Sequence, residues 1–178
     1  MIDLTKRGLP SVVEINGRPY SIKTDFRVWM KFANQVKRMR ADEYIDVSYL
    51  FVDEKPGYCD LNILIAFCFP KSELPRQKGG SKEILFDYEI DGAHIYAAFM
   101  SQYGIDLIDI EELHWYKFLA LFKGLKDDEI ISKIMAYRGY EKRDNKKDPY
   151  LDLKEAWRIE YISPEEQAKI DEFNNMFK

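Results

Sequence analysis

The sequence predicts a mainly α-helical fold of the α+β class: a helical bundle with an N-terminal β-hairpin and a C-terminal helical extension. Asn16-Gly17 separates two short runs of strand-forming residues near the start of the chain. Apolar residues then recur at three- and four-residue spacing through most of the remaining chain, which is the period of a helix with one buried face. The last stretch opens with the helix-start residues Ser163, Pro164 and Glu166.

The N-terminal elements have the clearest local signals. Residues 11–22, "SVVEINGRPYSI", alternate β-branched and aromatic residues around Asn-Gly, the dipeptide that most readily takes the positive φ angles of a type I′ turn. A hairpin is therefore expected here, followed by a helix that Thr24 caps. Five apolar residues line one face of that helix: Phe26, Trp29, Met30, Ala33 and Val36.

The next part of the chain is more ambiguous. Residues 41–56 are rich in β-formers and leave a strand and a short helix open, and the helical neighbours favour the helix. A further helix is expected from Asp60 to the breaker Pro70. The polar, Gly-containing segment 71–83 is expected to be an exposed, mobile loop.

Three helices are predicted in the centre of the chain. The first two run from about 87 to 103 and from 110 to 125, with Gly104 at the left-handed C-cap of the first. Asp109 and Glu112 have the spacing of a capping box for the second. The third is expected between a cap at Asp127 and a stop at Gly139.

The C-terminal part is predicted to be separate from the core. Residues 140–150 are charged and end near a proline, as a linker does, so we expect a hairpin and helical core in residues 1–139 and a linker with helices in 140–178. The terminal helix has one apolar stripe, which is a candidate partner-binding surface. Its members are Ile170, Phe173 and Phe177.

Composition limits the classes of function. The net charge of -4 gives no overall attraction to nucleic acid or to anionic membranes. The basic run from Val36 to Arg40 is expected to be the solvated last turn of a helix. Cys59 and Cys68 have no metal or redox spacing, so we expect buried free thiols in a cytoplasmic protein. No signal peptide or membrane-spanning run is recognisable.

The central helix is apolar around most of its circumference. Such a helix is buried on all sides, or one of its faces is covered by a second protein. His114 falls between Leu121 and Leu125 on a helical wheel, which predicts a buried, neutral imidazole bonded to a neighbouring helix rather than a group with chemistry.

The other histidine belongs to a candidate metal site. Asp87, Asp91, His94 and Ser101 share one strip of the predicted helix, where a divalent ion could bind. The opposite face is aromatic, so the strip is expected to be a solvated surface instead. No phosphate loop, nucleophile elbow or zinc cluster is present, and the sequence predicts no catalytic residue and no cofactor.

The central block resembles the bacteriophage gene-product-fifteen family, which is encoded in the tail modules of long-tailed phages and prophages of Gram-positive bacteria. The hairpin and first helix, "INGRPYSIKTDFRVWMKF", share the resemblance. Its most specific elements are Phe86-Asp87-Tyr88, Asp91, Ile95-Tyr96, Tyr103-Gly104-Ile105-Asp106-Leu107, His114-Trp115, Phe118 and Leu121.

The resemblance implies a non-enzymatic tail assembly chaperone. By genome position, such a protein would coat the tape-measure protein, help to deliver tail-tube subunits, self-associate, and stay in the host cytoplasm rather than in the virion. A structural tail or head-tail component retained in the virion is the alternative, and a small metal-dependent enzyme is a second one. Seven motif residues are expected to have structural roles: Asp87, Tyr88, Asp91, Tyr103, Gly104, His114 and Trp115.

Overall fold

The computed structural model describes residues 2–39, 43–70, 84–142, 148–161 and 173. Within those ranges the chain forms six α-helices and one two-stranded antiparallel sheet, so the predicted mainly α-helical class with an N-terminal hairpin is confirmed. Each of these helices is too short or too polar to cross a lipid bilayer. The predicted loop 71–83 lies outside the described residues.

The hairpin is confirmed at the predicted turn. Strand β1 (Val12–Ile15) pairs with β2 (Arg18–Ser21), and Ile15 lies opposite Arg18. Asn16 and Gly17 have φ angles of 52° and 75°, as a type I′ turn requires.

Helix α1 (Phe26–Arg38) follows the hairpin. Its N-cap is Asp25, whose carboxylate accepts the Arg27 N–H at 3.0 Å, so the predicted cap at Thr24 is wrong by one residue. Arg27 also donates three hydrogen bonds to a neighbouring loop, which fixes the start of α1 against it. The acceptors are the carbonyls of Leu107, Ile108 and Ile110.

The expected helix in residues 41–56 is wrong for the described residues 43–56. The segment contains one 3-10 turn, Ser48–Leu50, and Phe51 pairs with Ile22 in an isolated β-bridge. The Lys23 N–H donates to the Leu50 carbonyl at 2.8 Å, and the Val52 N–H donates to the Ser21 carbonyl at 3.1 Å. The β-forming residues therefore extend the hairpin edge, because their backbone groups find partners there.

Helices α2 (Leu61–Cys68) and α3 (Gly92–Tyr103) come next along the chain. Asp60 caps α2 by accepting the Asn62 N–H. The predicted start of α3 at residue 87 is wrong, because residues 88–91 form a turn. Asp87 accepts N–H groups two and three residues ahead of it, and such local bonds compete with helix formation.

Helix α4 (Trp115–Lys123) begins later than the predicted residue 110, and the predicted capping box is wrong. Residues 113–115 are instead paired with residues 24–26: the Phe26 N–H donates to the Leu113 carbonyl, and the Trp115 N–H donates to the Thr24 carbonyl. His114 occupies the N-cap. Glu112 accepts the Thr24 hydroxyl at 3.2 Å, which ties the start of α4 to the start of α1.

The last two described helices are α5 (Ile130–Arg138) and α6 (Pro149–Ala156). Glu129, not Asp127, is the N-cap residue of α5, while Gly139 ends it as predicted. Asp148 caps α6 by accepting the Tyr150 N–H, so the proline that was expected to end a linker instead begins a helix. The division into 1–139 and 140–178 stays a prediction.

The core is a stack of aromatic rings around one residue of α4. Phe118 lies nearly parallel to four rings, with centroid separations from 5.0 to 5.9 Å. Trp115 donates its indole N–H to the Cys68 carbonyl at 2.9 Å, so a buried polar group is satisfied. The four rings parallel to Phe118 are those of Phe26, Phe99, Trp115 and Phe122.

Both cysteines are free, but only one is buried. Cys68 lies in the core, where burial raises the pKa of its thiol well above the usual value. Cys59 is half-buried, so the expectation of two buried thiols is wrong for this residue.

Gly104 has a φ of 65° at the C-cap of α3, which confirms the predicted left-handed cap. Gly104→Ala is expected to lower the free energy of unfolding by about 1–2 kcal/mol, because a Cβ is unfavourable in this conformation. A Cβ added at residue 104 has no heavy atom within 4 Å, so the change in the free energy of unfolding reports backbone strain and not a steric clash. Urea denaturation followed by circular dichroism gives the value.

Gly92→Ala is the matched control. Gly92 is the first residue of the same helix, its φ is not positive, and an added Cβ is again unobstructed. This variant should be roughly 0.5 kcal/mol more stable than the natural chain. Equal effects of the two substitutions would contradict the assignment of strain to residue 104.

Candidate partner-binding cleft

An apolar cleft of about 640 Å³ lies between α2, α4 and α5. Its floor is formed by Leu119, Phe122 and Lys123 of α4, and its remaining walls come from the end of α2, residues 85–88 and α5. The lining residues are Cys68, Phe69, Pro70, Leu85, Phe86, Tyr88, Leu119, Phe122, Lys123, Leu125, Asp127, Ser132, Met135 and Ala136.

Two apolar side chains at the cleft are exposed to solvent. Phe69 is 41% exposed and Leu85 is 37% exposed, and Ile84 beside Leu85 is 38% exposed. Charged groups are few in the lining, where Lys123 and Asp127 provide one of each sign. An exposed apolar concavity with little charge is typical of a surface that binds another protein segment.

The wall at residues 85–88 is held by a buried ion pair. Arg138 of α5 and Asp91 are both almost inaccessible to solvent, and the guanidinium binds both carboxylate oxygens, at 2.6 and 2.9 Å. The same guanidinium donates to the Leu85 carbonyl at 3.0 Å and to the Trp157 carbonyl at 2.6 Å. Each of these charges therefore has several partners, as burial demands.

Asp87 forms the second half of this network. Its buried carboxylate accepts the Tyr161 hydroxyl at 3.0 Å and lies 3.2 Å from the Arg38 guanidinium. Burial by itself would raise the pKa of the carboxyl, but hydrogen bonds and the guanidinium hold it below its usual value. The Asp87 N–H in turn donates to Asp91 at 2.9 Å, which connects the two halves.

Lys37 supports the same wall from α1. Its ammonium donates to the Phe86 carbonyl at 3.0 Å and lies 4.3 Å from the centroid of that ring and 5.1 Å from the Tyr88 centroid. Burial lowers the pKa of Lys37, and nearby Asp87 partly opposes this effect. The expectation that the basic run of α1 is simply a solvated turn is therefore wrong for Lys37.

The predicted Asp/His strip does not form. Asp87 and Asp91 precede α3 and are buried, not solvated, and their oxygens are engaged by arginines. His94 instead lies edge-on to Trp157, with ring centroids 5.8 Å apart. Among the described residues, no three His, Cys, Asp or Glu side chains are placed to hold a metal ion.

His114 occupies a different position from the predicted one. It precedes α4 rather than lying among leucines, and it is half-buried. Its Nδ1 accepts the Tyr116 N–H at 3.0 Å, and its Nε2 lies 3.0 Å from the Pro10 carbonyl. Since Nδ1 accepts and a carbonyl only accepts, the imidazole is neutral with its proton on Nε2.

The other predicted residues lie in different parts of the molecule. Tyr88 and Trp115 are buried in the core, and the Tyr103 hydroxyl donates to the Leu121 carbonyl at 2.8 Å. Of the terminal stripe, Phe173 is 57% exposed, while Ile170 and Phe177 lie outside the described residues. The partner-binding role of the stripe stays a prediction.

Three residues of the site were not predicted from the sequence. Arg138, Arg38 and Tyr161 are separated from their carboxylate partners by 47, 49 and 74 positions, and no spacing rule relates residues that far apart. The sequence contained one signal that could have identified Arg138. Arg138 is a charged residue in a helix that also carries the apolar residues Ile131, Ile134 and Met135.

Together these features define a class: a small, mainly helical protein whose apolar cleft is braced by buried ion pairs. The family description that matches residues 67–161 is "Bacteriophage Gp15 protein", and the match covers more than half of the chain. The chain belongs to the bacteriophage Gp15 protein family, which suggests a structural or tail-related phage protein. No curated protein and no solved structure matches the chain.

The matched range contains the whole lining of the cleft and ends at Tyr161. It also contains Asp87, Asp91 and Arg138, while the hairpin and α1 precede it. The cleft and most of the network that braces it therefore belong to the part of the chain that the family shares.

Arg138→Met is expected to lower the free energy of unfolding by about 3–5 kcal/mol, because it leaves the Asp91 carboxylate buried without its partner. Asp91→Asn should also destabilise, and the double variant should lose less than the sum of the two single losses. The measurement is a double-mutant cycle by chemical denaturation.

Arg158→Met is the control for this cycle. Arg158 is 61% exposed and pairs with Glu155 and Glu160 at the surface, where a lost ion pair costs at most about 1 kcal/mol. Strictly additive effects of Arg138→Met and Asp91→Asn would contradict the coupling inferred for the buried pair.

The N-cap at His114 predicts a pH-dependent stability. Burial lowers the pKa of His114 below its usual value of 6.5, with Lys117 contributing in the same direction. As the pH falls, His114 is therefore protonated at a higher pH in the unfolded chain than in the folded chain. The contribution of neutral His114 to the free energy of unfolding should be complete above pH 6.5 and should decline as the pH falls toward the lower pKa of the folded state.

His114→Asn should remove this decline, since an asparagine oxygen also accepts the Tyr116 N–H without titrating. His94→Asn is the control and should retain it. Denaturation at a series of pH values from about 8 to 5, above the main titration range of carboxylates, tests this. An unchanged pH profile in His114→Asn would show that another group is responsible.

Proposed function

We propose that this chain is a non-enzymatic tail assembly chaperone that holds the tape-measure protein in solution during phage tail assembly. The observation that supports the proposal best is the apolar cleft with Phe69 and Leu85 exposed at its edge, in a protein whose family is structural or tail-related. The proposed place of action is the cytoplasm of the bacterial host.

The dimensions and chemistry of the cleft favour a helical ligand. Its volume of about 640 Å³ accommodates several apolar side chains, and an amphipathic helix presents such side chains at positions i, i+3, i+4 and i+7. A long, helix-rich tape-measure protein would offer many such segments. Tail-tube subunits and a second copy of the chain are further proposed partners.

Substitution at the edge of the cleft should reduce chaperone activity. Phe69→Asp with Leu85→Asp is expected to lower the soluble yield of co-expressed tape-measure protein at least roughly tenfold, since two buried carboxylates oppose apolar contact. Both side chains are already partly exposed, so the variant should still fold. Soluble yield and co-purification are measured together.

Ile108→Asp is the matched control. Ile108 is 73% exposed and is not part of the cleft lining, so this variant should hold the tape-measure protein as well as the natural chain does. If the natural chain itself fails to keep the tape-measure protein soluble, the chaperone proposal is abandoned.

A structural component retained in the virion is the second candidate, because the family suggests structural as well as tail-related proteins. Mass spectrometry of purified particles separates the two. A chaperone should be absent from mature particles, whereas a structural component should be present in stoichiometric amount.

A further inference from the structure

Residues 148–161, which we call the C-terminal arm, are attached to the rest of the molecule with little burial. The arm consists of α6 with its cap residue and of residues 157–161, and every one of its side chains is at least partly exposed. Segments that bury little apolar surface open locally at a lower free energy than the core unfolds. The arm is therefore expected to detach while the aromatic core stays folded.

Aromatic rings attach the first half of the arm to the end of α5. The Tyr150 ring stacks on Tyr140 with centroids 5.3 Å apart, and it lies 6.2 Å from the Tyr137 centroid. Tyr150 is still 50% exposed, so this attachment lies at the surface. None of the three tyrosines is part of the cleft lining.

The second half of the arm contacts the groups that brace the cleft wall at residues 85–88. The Trp157 carbonyl accepts from the Arg138 guanidinium at 2.6 Å, and the same guanidinium donates to the Leu85 carbonyl of the wall. The Tyr161 hydroxyl donates to the buried Asp87 carboxylate at 3.0 Å. Detachment of the arm therefore removes one hydrogen-bond partner from each of two buried charges.

We propose that the C-terminal arm is a detachable clamp that controls the order of the cleft wall. With the arm attached, Arg138 and Asp87 are fully engaged and the wall is fixed. With the arm detached, both charges lose a partner and the wall becomes mobile. Because coupling between two equilibria is reciprocal, a ligand that orders the wall also favours the attached arm. This effect on ligand binding rests on the proposed function, whereas the coupling between arm and wall does not.

Amide hydrogen exchange of the full-length protein, resolved by residue with NMR, tests the detachment. The Trp157 N–H, which donates to the Leu153 carbonyl, reports on the arm. The Asp87 and Glu89 N–H groups, which donate to carboxylates, report on the wall. The amides of α4 report on the core. The arm amides should exchange faster than those of α4, and equal protection of the arm and α4 would overturn the proposal.

Tyr161→Phe tests the clamp contact. It removes only the hydroxyl that binds Asp87, so exchange should become roughly tenfold faster in both the arm and the wall, as expected for a lost hydrogen bond to a charged group. The α4 amides should not change. Acceleration in the arm alone would refute the coupling, and equal acceleration in α4 would show that the arm is not a separate unit.

Tyr150→Ser tests whether the coupling is transmitted from a distance. This change removes the ring contacts with Tyr137 and Tyr140 and touches no residue of the cleft lining. Exchange in the arm and in the wall should both become roughly threefold faster or more, since aromatic pairs supply this attachment. A faster arm with an unchanged wall, or an unchanged arm, would overturn the proposal.

Tyr150→Phe is the matched control for both variants. It keeps the ring contacts, and the Tyr150 hydroxyl forms no hydrogen bond with the part of the chain that the structure describes, so exchange should be unchanged. No ligand is present in these measurements. Their outcome is therefore independent of whether the tape-measure protein binds the cleft, which the soluble-yield experiment decides.

Discussion

Arg138 and Asp91 meet in a region that water scarcely reaches, and the guanidinium binds both oxygens of the carboxylate. Two isolated charges would not be tolerated there. The pair persists because the same guanidinium also binds the Leu85 and Trp157 carbonyls, and Asp91 also accepts the Asp87 N–H. One side chain of α5 thus positions the start of α3, the wall of the cleft and the chain at Trp157.

The features that were predictable from the sequence are those decided by neighbouring residues. Asn16-Gly17 forms its turn and Gly104 its left-handed cap, because positive φ angles depend on the residue itself. The family resemblance likewise rested on contiguous motifs. The helical class was predictable for a similar reason, since apolar spacing along the chain sets the period of the buried face.

The errors fall where distant partners decide the local structure. Residues 110–114 have helical spacing, but Leu113 and Trp115 pair with the backbone before α1, so helix formation starts late. Helical spacing alone puts Asp87 and Asp91 at the surface, because the arginines that neutralise them are 47 or more positions away. The cleft was not predictable either, although the excess of apolar residues in α4 indicated that a second face needed covering.

That excess has a physical explanation in the structure. Trp115 and Phe118 of α4 insert into the aromatic stack. Phe122 belongs to the same stack and also borders the cleft, which Leu119 lines beside it. Because Lys37 and Arg138 hold the opposite wall in place, the cleft is formed before any ligand arrives. Because this wall is already ordered, binding a ligand does not have to offset the conformational entropy of ordering it. More of the interaction free energy therefore contributes to affinity. The buried charges therefore contribute to recognition through the shape that they maintain.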